Sequence, residues 1–147
     1  MLKRSLTAFV LGAVAVLVVH QPMIGLWHLL GLTPLMPYNL ARIPPWGVPA
    51  FLSLTFWGGV WTIPIGWILD RLPRGGPYWV GAALLGSLPP TLTSILIILP
   101  LKGLPMSAFF HAVGAVAGFT TNGIWGLGFA ALWRWWNGRN AMVRASA

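Results

Sequence analysis

Cysteine is absent from this chain, and acidic side chains are nearly absent. Without cysteine there can be no disulfide, no thiolate metal site and no cysteine nucleophile, and the redox compartment stays open. The only acidic residue, Asp70, cannot supply the carboxylate pair or the metal triad on which many hydrolases depend. GxSxG, P-loop and HExxH patterns are missing as well, so the sequence predicts a protein that is not an enzyme.

Charged residues of either sign are scarce. They make up 7% of the 147 residues, against 57% hydrophobic residues, which leaves too little polar surface for a soluble globule. The net charge of +8 arises from the lack of acids, and the nine basic residues lie between apolar runs. Nucleic-acid binding, which uses a concentrated basic face, is therefore not predicted. We interpret residues 1–147 as a single integral membrane domain.

Four apolar runs are each long enough to cross a hydrocarbon core of about 30 Å. They predict an all-α membrane protein, with four transmembrane helices in an antiparallel bundle, over residues 6–32, 48–69, 78–100 and 108–133. The first run exceeds a straight crossing, so we expect it to tilt or to bend at Pro22. If Pro22 instead ended this helix, residues 23–32 would form an interfacial or re-entrant segment. The proline-rich stretch 32–47 is interpreted as the longest loop.

The basic residues are distributed unevenly between the two sides of such a bundle. An N-terminus inside and four crossings leave only Arg42 and Lys102 outside. Basic residues concentrate on the cytoplasmic side of membrane proteins. This predicts an inner (cytoplasmic) membrane protein with both termini in the cytoplasm, where the remaining basic residues would lie: Lys3, Arg4, Arg71, Arg74, Arg134, Arg139 and Arg144.

The middle of each predicted helix contains polar or helix-breaking residues. Lipid cannot satisfy buried polar groups, so these residues should face one another or water. Many transporters build a substrate site from interrupted helices at this depth. A hypothetical binding cluster at the midplane would comprise His20, Gln21, Thr91, Thr121 and Asn122, with helix breakers at Pro22, Gly58, Gly59, Pro89 and Pro90. The alternative is that such residues only let helices approach and bond, a packing role that Gly114, Gly118 and Gly126 also fit.

The three histidines allow different roles. His20 is the only mid-depth side chain that could titrate near neutral pH, and it could relay protons or be a neutral hydrogen-bond partner of Asn122 or Gln21. His28 and His111 lie at similar depth and could together ligate a haem. An interfacial hydrogen-bonding role is the alternative that we favour for them, so neither a cofactor nor a metal is predicted.

Asp70 lies at the predicted cytoplasmic end of the second helix, where the helix dipole disfavours a negative charge. We expect it to form a local ion pair with Arg71 or Arg74. No carboxylate lies within the apolar runs. This counts against the small multidrug exporters, a class that the chain length would otherwise suggest.

Five short motifs follow one another along the chain: His20-Gln21, Pro44-Pro45-Trp46-Gly47-Val48-Pro49, Phe56-Trp57-Gly58-Gly59, Pro100-Leu101-Lys102-Gly103 and Asn122-Gly123-Ile124-Trp125-Gly126-Leu127-Gly128. In this order they resemble the motifs of a family of small four-helix bacterial inner-membrane proteins. The resemblance spans nearly the whole chain and implies a bacterial origin and the same topology. It implies no activity and no catalytic residue.

Three functional hypotheses follow from these observations. The favoured one is a non-catalytic accessory or assembly subunit of a membrane complex, whose partners are the lipid bilayer and another membrane protein or a second copy of the chain. The second is a small oligomeric transporter or channel with a polar midplane site. The third is a haem- or quinone-binding redox subunit.

Overall fold

The computed structural model describes residues 1–43, 46–101, 103, 107 and 112–145. The helices are α1 Leu2–Ala15, α2 Gln21–Leu29, α3 Ala50–Leu69, α4 Gly76–Thr93, α5 Leu99–Leu101 and α6 Ala112–Ala145. Two π-helical segments, Val16–His20 and Ser94–Ile98, join α1 to α2 and α4 to α5. A short antiparallel pair, β1 Arg42–Ile43 with β2 Val48–Pro49, lies in the loop before α3.

Within the described residues, four helical spans are long and apolar enough to cross a membrane. We call them the first to fourth spans: Leu2–Leu29, Ala50–Leu69, Gly76–Leu101 and Gly114–Asn140. The prediction of four apolar helices of membrane-spanning length is therefore confirmed, and the chain has the composition of a multi-pass membrane protein.

Each π-helical segment ends two residues before a proline, Pro22 in the first span and Pro100 in the third. Proline lacks an N–H group, and its ring collides with the carbonyl four residues earlier in a regular α-helix. A π turn separates these groups by inserting one extra residue. The first helix therefore continues through Pro22 to Leu29, and the alternative in which Pro22 ends it is wrong.

The fourth helix differs from its predicted extent. Its predicted first residues, 108–111, lie outside the described residues, and α6 continues past Trp133 to Ala145. The segment beyond Trp133 contains no proline, and its single glycine, Gly138, weakens a helix without ending it.

Bulky side chains lie on the outside of the first and third spans at every fourth position, and therefore on one face of each helix. The exposed sets are Leu2, Leu6, Val10, Val14, Val18 and Leu26 in the first span, and Val80, Leu84, Leu88, Leu92 and Leu96 in the third. The buried faces carry small residues instead, among them Ala8, Gly12, Ala82 and Gly86. Because lipid is as apolar as leucine, membrane helices gain from close backbone approach and not from burying leucine.

The spans associate as two tightly packed pairs, the first with the second and the third with the fourth. Gly12 lies against the Thr62 side chain, and a methyl group added at Gly59 would lie 2.9 Å from the carbonyl oxygen of Phe9. In the other pair, a methyl group added at Gly86 would lie 2.6 Å from the Cα atom of Gly126. Glycine is required at these positions because the neighbouring helix occupies the space of a Cβ atom.

Large aromatic side chains of the fourth span fill the space between the two pairs. Trp125, Phe129 and Trp133 are almost completely buried, and the Phe129 and Trp133 rings stack with centroids 5.8 Å apart. The Trp125 indole N–H donates a hydrogen bond to the carbonyl oxygen of Gly12, at 3.3 Å. The fourth span therefore contacts the first span as well as the third.

Candidate functional site

Asn122 lies at the centre of the polar residues that were predicted to meet at the midplane. Its Nδ2 donates to the Thr91 hydroxyl at 2.8 Å, which joins the fourth span to the third. Its side chain also interacts with His20, at the end of the π-helical segment of the first span. Polar residues of three spans therefore meet here, with Asn122 bonded to Thr91 and beside His20.

Gln21 is buried but belongs to a different set of contacts. Its Oε1 accepts a hydrogen bond from the backbone N–H of Tyr38, at 2.7 Å. The Tyr38 hydroxyl in turn donates to the carbonyl oxygen of Leu17, at 2.8 Å. Tyr38 has a φ angle of 51°, which is uncommon for a residue other than glycine. The loop between the first two spans is thus bound to the first span and covers Gln21.

Thr121 is buried beside Asn122, and its partner is an aromatic residue. The indole N–H of Trp27 donates to the Thr121 hydroxyl at 2.9 Å, which joins the first span to the fourth. The neighbouring Thr120 is exposed and hydrogen-bonds to carbonyl oxygens of its own helix. The structure therefore brings all five predicted polar residues into interhelical or loop contacts, although not into one network.

Two buried polar atoms at this depth have no hydrogen-bond partner among the described residues, namely His20 Nδ1 and Gln21 Nε2. A buried polar group without a partner costs about 1–3 kcal/mol. The amide Nε2 is a donor, and Nδ1 is a donor or an acceptor according to the tautomer. Each could bind a polar atom of a small molecule, and no carboxylate is among their described contacts.

The helix breakers and predicted packing residues lie in different surroundings. Gly58 and Gly59 face Val16 and Phe9 of the first span, and Gly126 faces Gly86. Pro89 and Pro90 lie inside α4. Gly114 is exposed within the chain, and Gly118 is half-buried.

The residues proposed for a haem cannot be compared, because His111 lies outside the described residues. His28 lies near the end of α2, where its Nδ1 is 3.2 Å from the carbonyl oxygen of Thr33 and can donate to it. Among the residues that the structure describes, no three His, Cys, Asp or Glu side chains cluster as metal ligands would.

Asp70 lies at the end of the bundle opposite to His28, and its ion-pair partner differs from the predicted one. Arg4, near the start of the first span, forms an ion pair with Asp70. The Trp133 indole N–H donates to the same carboxylate at 3.0 Å. Arg71 instead donates to the carbonyl oxygen of Trp67, at 2.7 Å. The predicted local ion pair with Arg71 or Arg74 is therefore wrong, because the packing of the first span brings a cation from a distant part of the sequence.

Three residues that no sequence motif singled out, Thr62, Trp27 and Tyr38, also make contacts between helices or between a loop and a helix. Thr62 is fully buried, and its hydroxyl donates to the carbonyl oxygens of Ala8 and Gly59, both at 2.8 Å. Trp27 and Tyr38 bond to predicted site residues. The position of Thr62, a hydroxyl residue three positions after a glycine pair, could have indicated a contact with a closely packed helix. No sequence pattern indicates which helix Trp27 or Tyr38 contacts.

Comparison of the chain with protein-family models, with curated proteins and with solved structures found no match. The resemblance of its motifs to those of small bacterial four-helix proteins therefore stays a prediction. The contacts described above are the basis of the functional proposal.

Proposed function

We propose that this protein is a non-catalytic accessory or assembly subunit of a bacterial inner-membrane complex, with its four spans in an antiparallel bundle and both termini in the cytoplasm. The observation that supports this most directly is that the residues at the midplane of the bundle are engaged in contacts between helices. Its glycines are in backbone or side-chain contact with neighbouring helices, and most of its polar groups are hydrogen-bonded between helices. These contacts favour a role of the midplane residues in helix packing over a role in the passage of a substrate.

The topology is supported by contacts at one end of the helices. Arg4 at the start of the first span contacts Asp70 just after the second, and Asp70 contacts Trp133 late in the fourth. The Tyr78 hydroxyl at the start of the third span donates to the carbonyl oxygen of Ala130, at 2.8 Å. An antiparallel arrangement explains these contacts. The basic residues of this end favour the cytoplasm as its location.

A contact face for a partner is suggested by aromatic residues of the second span. Phe56 and Trp57 are exposed near the middle of this span, and their rings meet edge to face with centroids 5.5 Å apart. Tryptophan in a lipid-facing position normally lies at the membrane–water interface. Large aromatic side chains are also enriched in protein interfaces. We therefore propose that Phe56 and Trp57 dock on another membrane protein.

The proposal is tested by native mass spectrometry of the protein extracted gently from its host membrane. We expect a heavier species that contains a second, different chain. Replacing Trp57 by Leu should dissociate this species, because it removes the aromatic contact and keeps the apolar surface. Leu84→Ala, on the exposed face of the third span, is the matched control and should leave the species intact. Bare monomers or homo-oligomers of the unmodified chain would contradict the proposal.

A second candidate function, a small transporter or channel, is favoured by the two unpartnered atoms of His20 and Gln21. It makes the opposite prediction for Gln21→Leu. In a transporter this substitution would abolish uptake or efflux of the substrate, whereas in an accessory subunit it would leave the partner bound. Uptake by sealed membrane vesicles, measured beside the mass spectrum of the same variant, therefore separates the two functions.

A further inference from the structure

A groove runs along the end of the bundle where the third span begins and the fourth helix continues. It is shallow and open on its outer side, has a volume of about 450 Å³ and is lined mainly by apolar atoms. Trp79 forms one wall, and the other lining residues come from α6: Ala131, Arg134, Trp135, Gly138, Arg139 and Met142. Residues spaced by three, four and seven positions lie on one face of a helix. The groove is therefore the unpartnered face of α6 beside the third span.

Gly138 keeps this groove open. A methyl group added at Gly138 would meet no atom within 4 Å, in contrast to the glycines between the spans. Trp135 and Met142 are exposed by 53% and 68%, so the apolar walls are accessible. The groove is therefore accessible to a ligand from outside the chain.

The two cations of the groove stack on aromatic rings. The Arg134 guanidinium lies 6.0 Å from the centroid of the Tyr78 ring, and that of Arg139 lies 4.9 Å from the Trp135 centroid. Stacking of this kind orients a guanidinium while its N–H groups remain able to bind an anion.

No acidic side chain of this chain is left to neutralise these arginines. The only one in the sequence is Asp70, and Arg4 and Trp133 already bind its carboxylate. Arginine binds phosphate through paired N–H donors. The charge of the groove is thus complementary to an anion that comes from outside the chain.

We propose that this groove binds an anionic phospholipid of the surrounding bilayer. The phosphate contacts Arg134 and Arg139, and an acyl chain extends from it past Ala131 and Trp79 toward the membrane interior. A lipid fits better than a free phosphate because the lining is apolar and lies at the end of a membrane-length span, where basic pockets between helices bind anionic headgroups. The proposal requires only that the spans are in a membrane, and it is independent of the accessory role.

The test is lipid binding to the purified protein in detergent, followed by native mass spectrometry, with phosphatidylglycerol and phosphatidylcholine as probes. We expect phosphatidylglycerol to bind with a clear preference. The double substitution Arg134→Gln and Arg139→Gln should weaken its binding about 30-fold, since both phosphate contacts are lost. The substitution Gly138→Leu should also weaken it, because leucine fills the groove and leaves both charges in place.

The matched control is Arg71→Gln with Arg74→Gln, which removes the same charge from the same end outside the groove. It should bind phosphatidylglycerol as the unmodified protein does. Equal loss in the control would show that net charge alone attracts the lipid, and an unchanged affinity of the Gly138→Leu protein would show that the lipid does not occupy the groove. Displacement of the lipid by inorganic phosphate would identify a free anion as the ligand. Each of these three results would overturn the proposal.

Discussion

The two helix pairs of this protein differ in the atoms through which the helices of each pair are in contact. Between the first and second spans, the Thr62 side chain lies against Gly12, and its hydroxyl donates to carbonyl oxygens. Between the third and fourth spans, Gly86 faces Gly126 and the carbonyl oxygen of Asn122, so that backbone lies against backbone. At these glycines the closest contacts are therefore made by side-chain atoms in the first pair and by main-chain atoms in the second.

This difference teaches which substitutions each pair can tolerate. A side chain can rotate or be replaced by one of similar shape, and interhelical hydrogen bonds in membranes contribute about 0.6–2 kcal/mol. Backbone atoms of two packed helices can move only if the helices separate, so added volume there is costly. We therefore expect the pair of the third and fourth spans to be the less tolerant one.

The largest effect is expected for Gly86→Ala. Its methyl group would lie 2.6 Å from the Cα atom of Gly126, and this would force the third and fourth spans apart. We expect a loss of about 1–3 kcal/mol in the free energy of unfolding, measured by denaturant titration in mixed micelles. Gly123→Ala in the same interface is the control, because its methyl group would lie at an ordinary 3.5 Å from the Cβ atom of Ser87. Equal losses for the two variants would refute the backbone contact.

A smaller effect is expected for Thr62→Val, which keeps the shape of the side chain and removes its hydroxyl. The bonds to Ala8 and Gly59 are lost, and the free energy of unfolding should fall by about 1 kcal/mol in the same titration. The control is Thr120→Val, since Thr120 is exposed and bonds only within its own helix in the described contacts. If the two valine variants were equally stable, the hydroxyl of Thr62 would not join the first pair.

The smallest effect is expected for the ion pair at one end of the first helix pair. Asp70 follows the second span and contacts Arg4 of the first span and Trp133 of the fourth. Because the Arg4 side chain is half exposed, solvent screens the pair, and a double-mutant cycle of Arg4→Gln and Asp70→Asn should give a coupling of at most about 1 kcal/mol. It should shrink as salt is added.

The cycle with Arg74→Gln in place of Arg4→Gln is the control for this ion pair, and we expect no coupling in it. A larger coupling for Arg74 than for Arg4 would restore the local pairing that the sequence suggested.

Much of the fold follows from hydropathy and proline positions. Four spans, the irregular stretch between the first two and the disturbance of the first helix near Pro22 could be predicted, because the length of an apolar run and the missing proline N–H act locally. The extension of α6 beyond Trp133 was not predicted. Hydropathy falls there although the helix continues, since helix formation requires no apolar surface.

The candidate site was less accessible from the sequence. Polar residues at the midplane could be recognised because lipid offers them no partner, and Thr91 with Asn122 illustrates this. The binding of Gln21 by the Tyr38 backbone could not be recognised, since it depends on how a loop folds back. The pairing of Asp70 with Arg4, 66 residues away, was likewise hidden, and reasoning from neighbours selected the wrong arginine.

The sequence by itself determined the number of apolar helices, the scarcity of charge and the one carboxylate, because composition and run length depend on no partner. Only the tertiary structure decided which glycine faces which helix, which cation neutralises Asp70 and which arginines remain without an acidic partner. The physical reason is that helix contacts in a membrane depend on shape at single positions. In this chain a Cβ atom added at Gly86 would collide with Gly126, whereas one added at Gly138 would have no described atom within 4 Å, although all three residues are glycines.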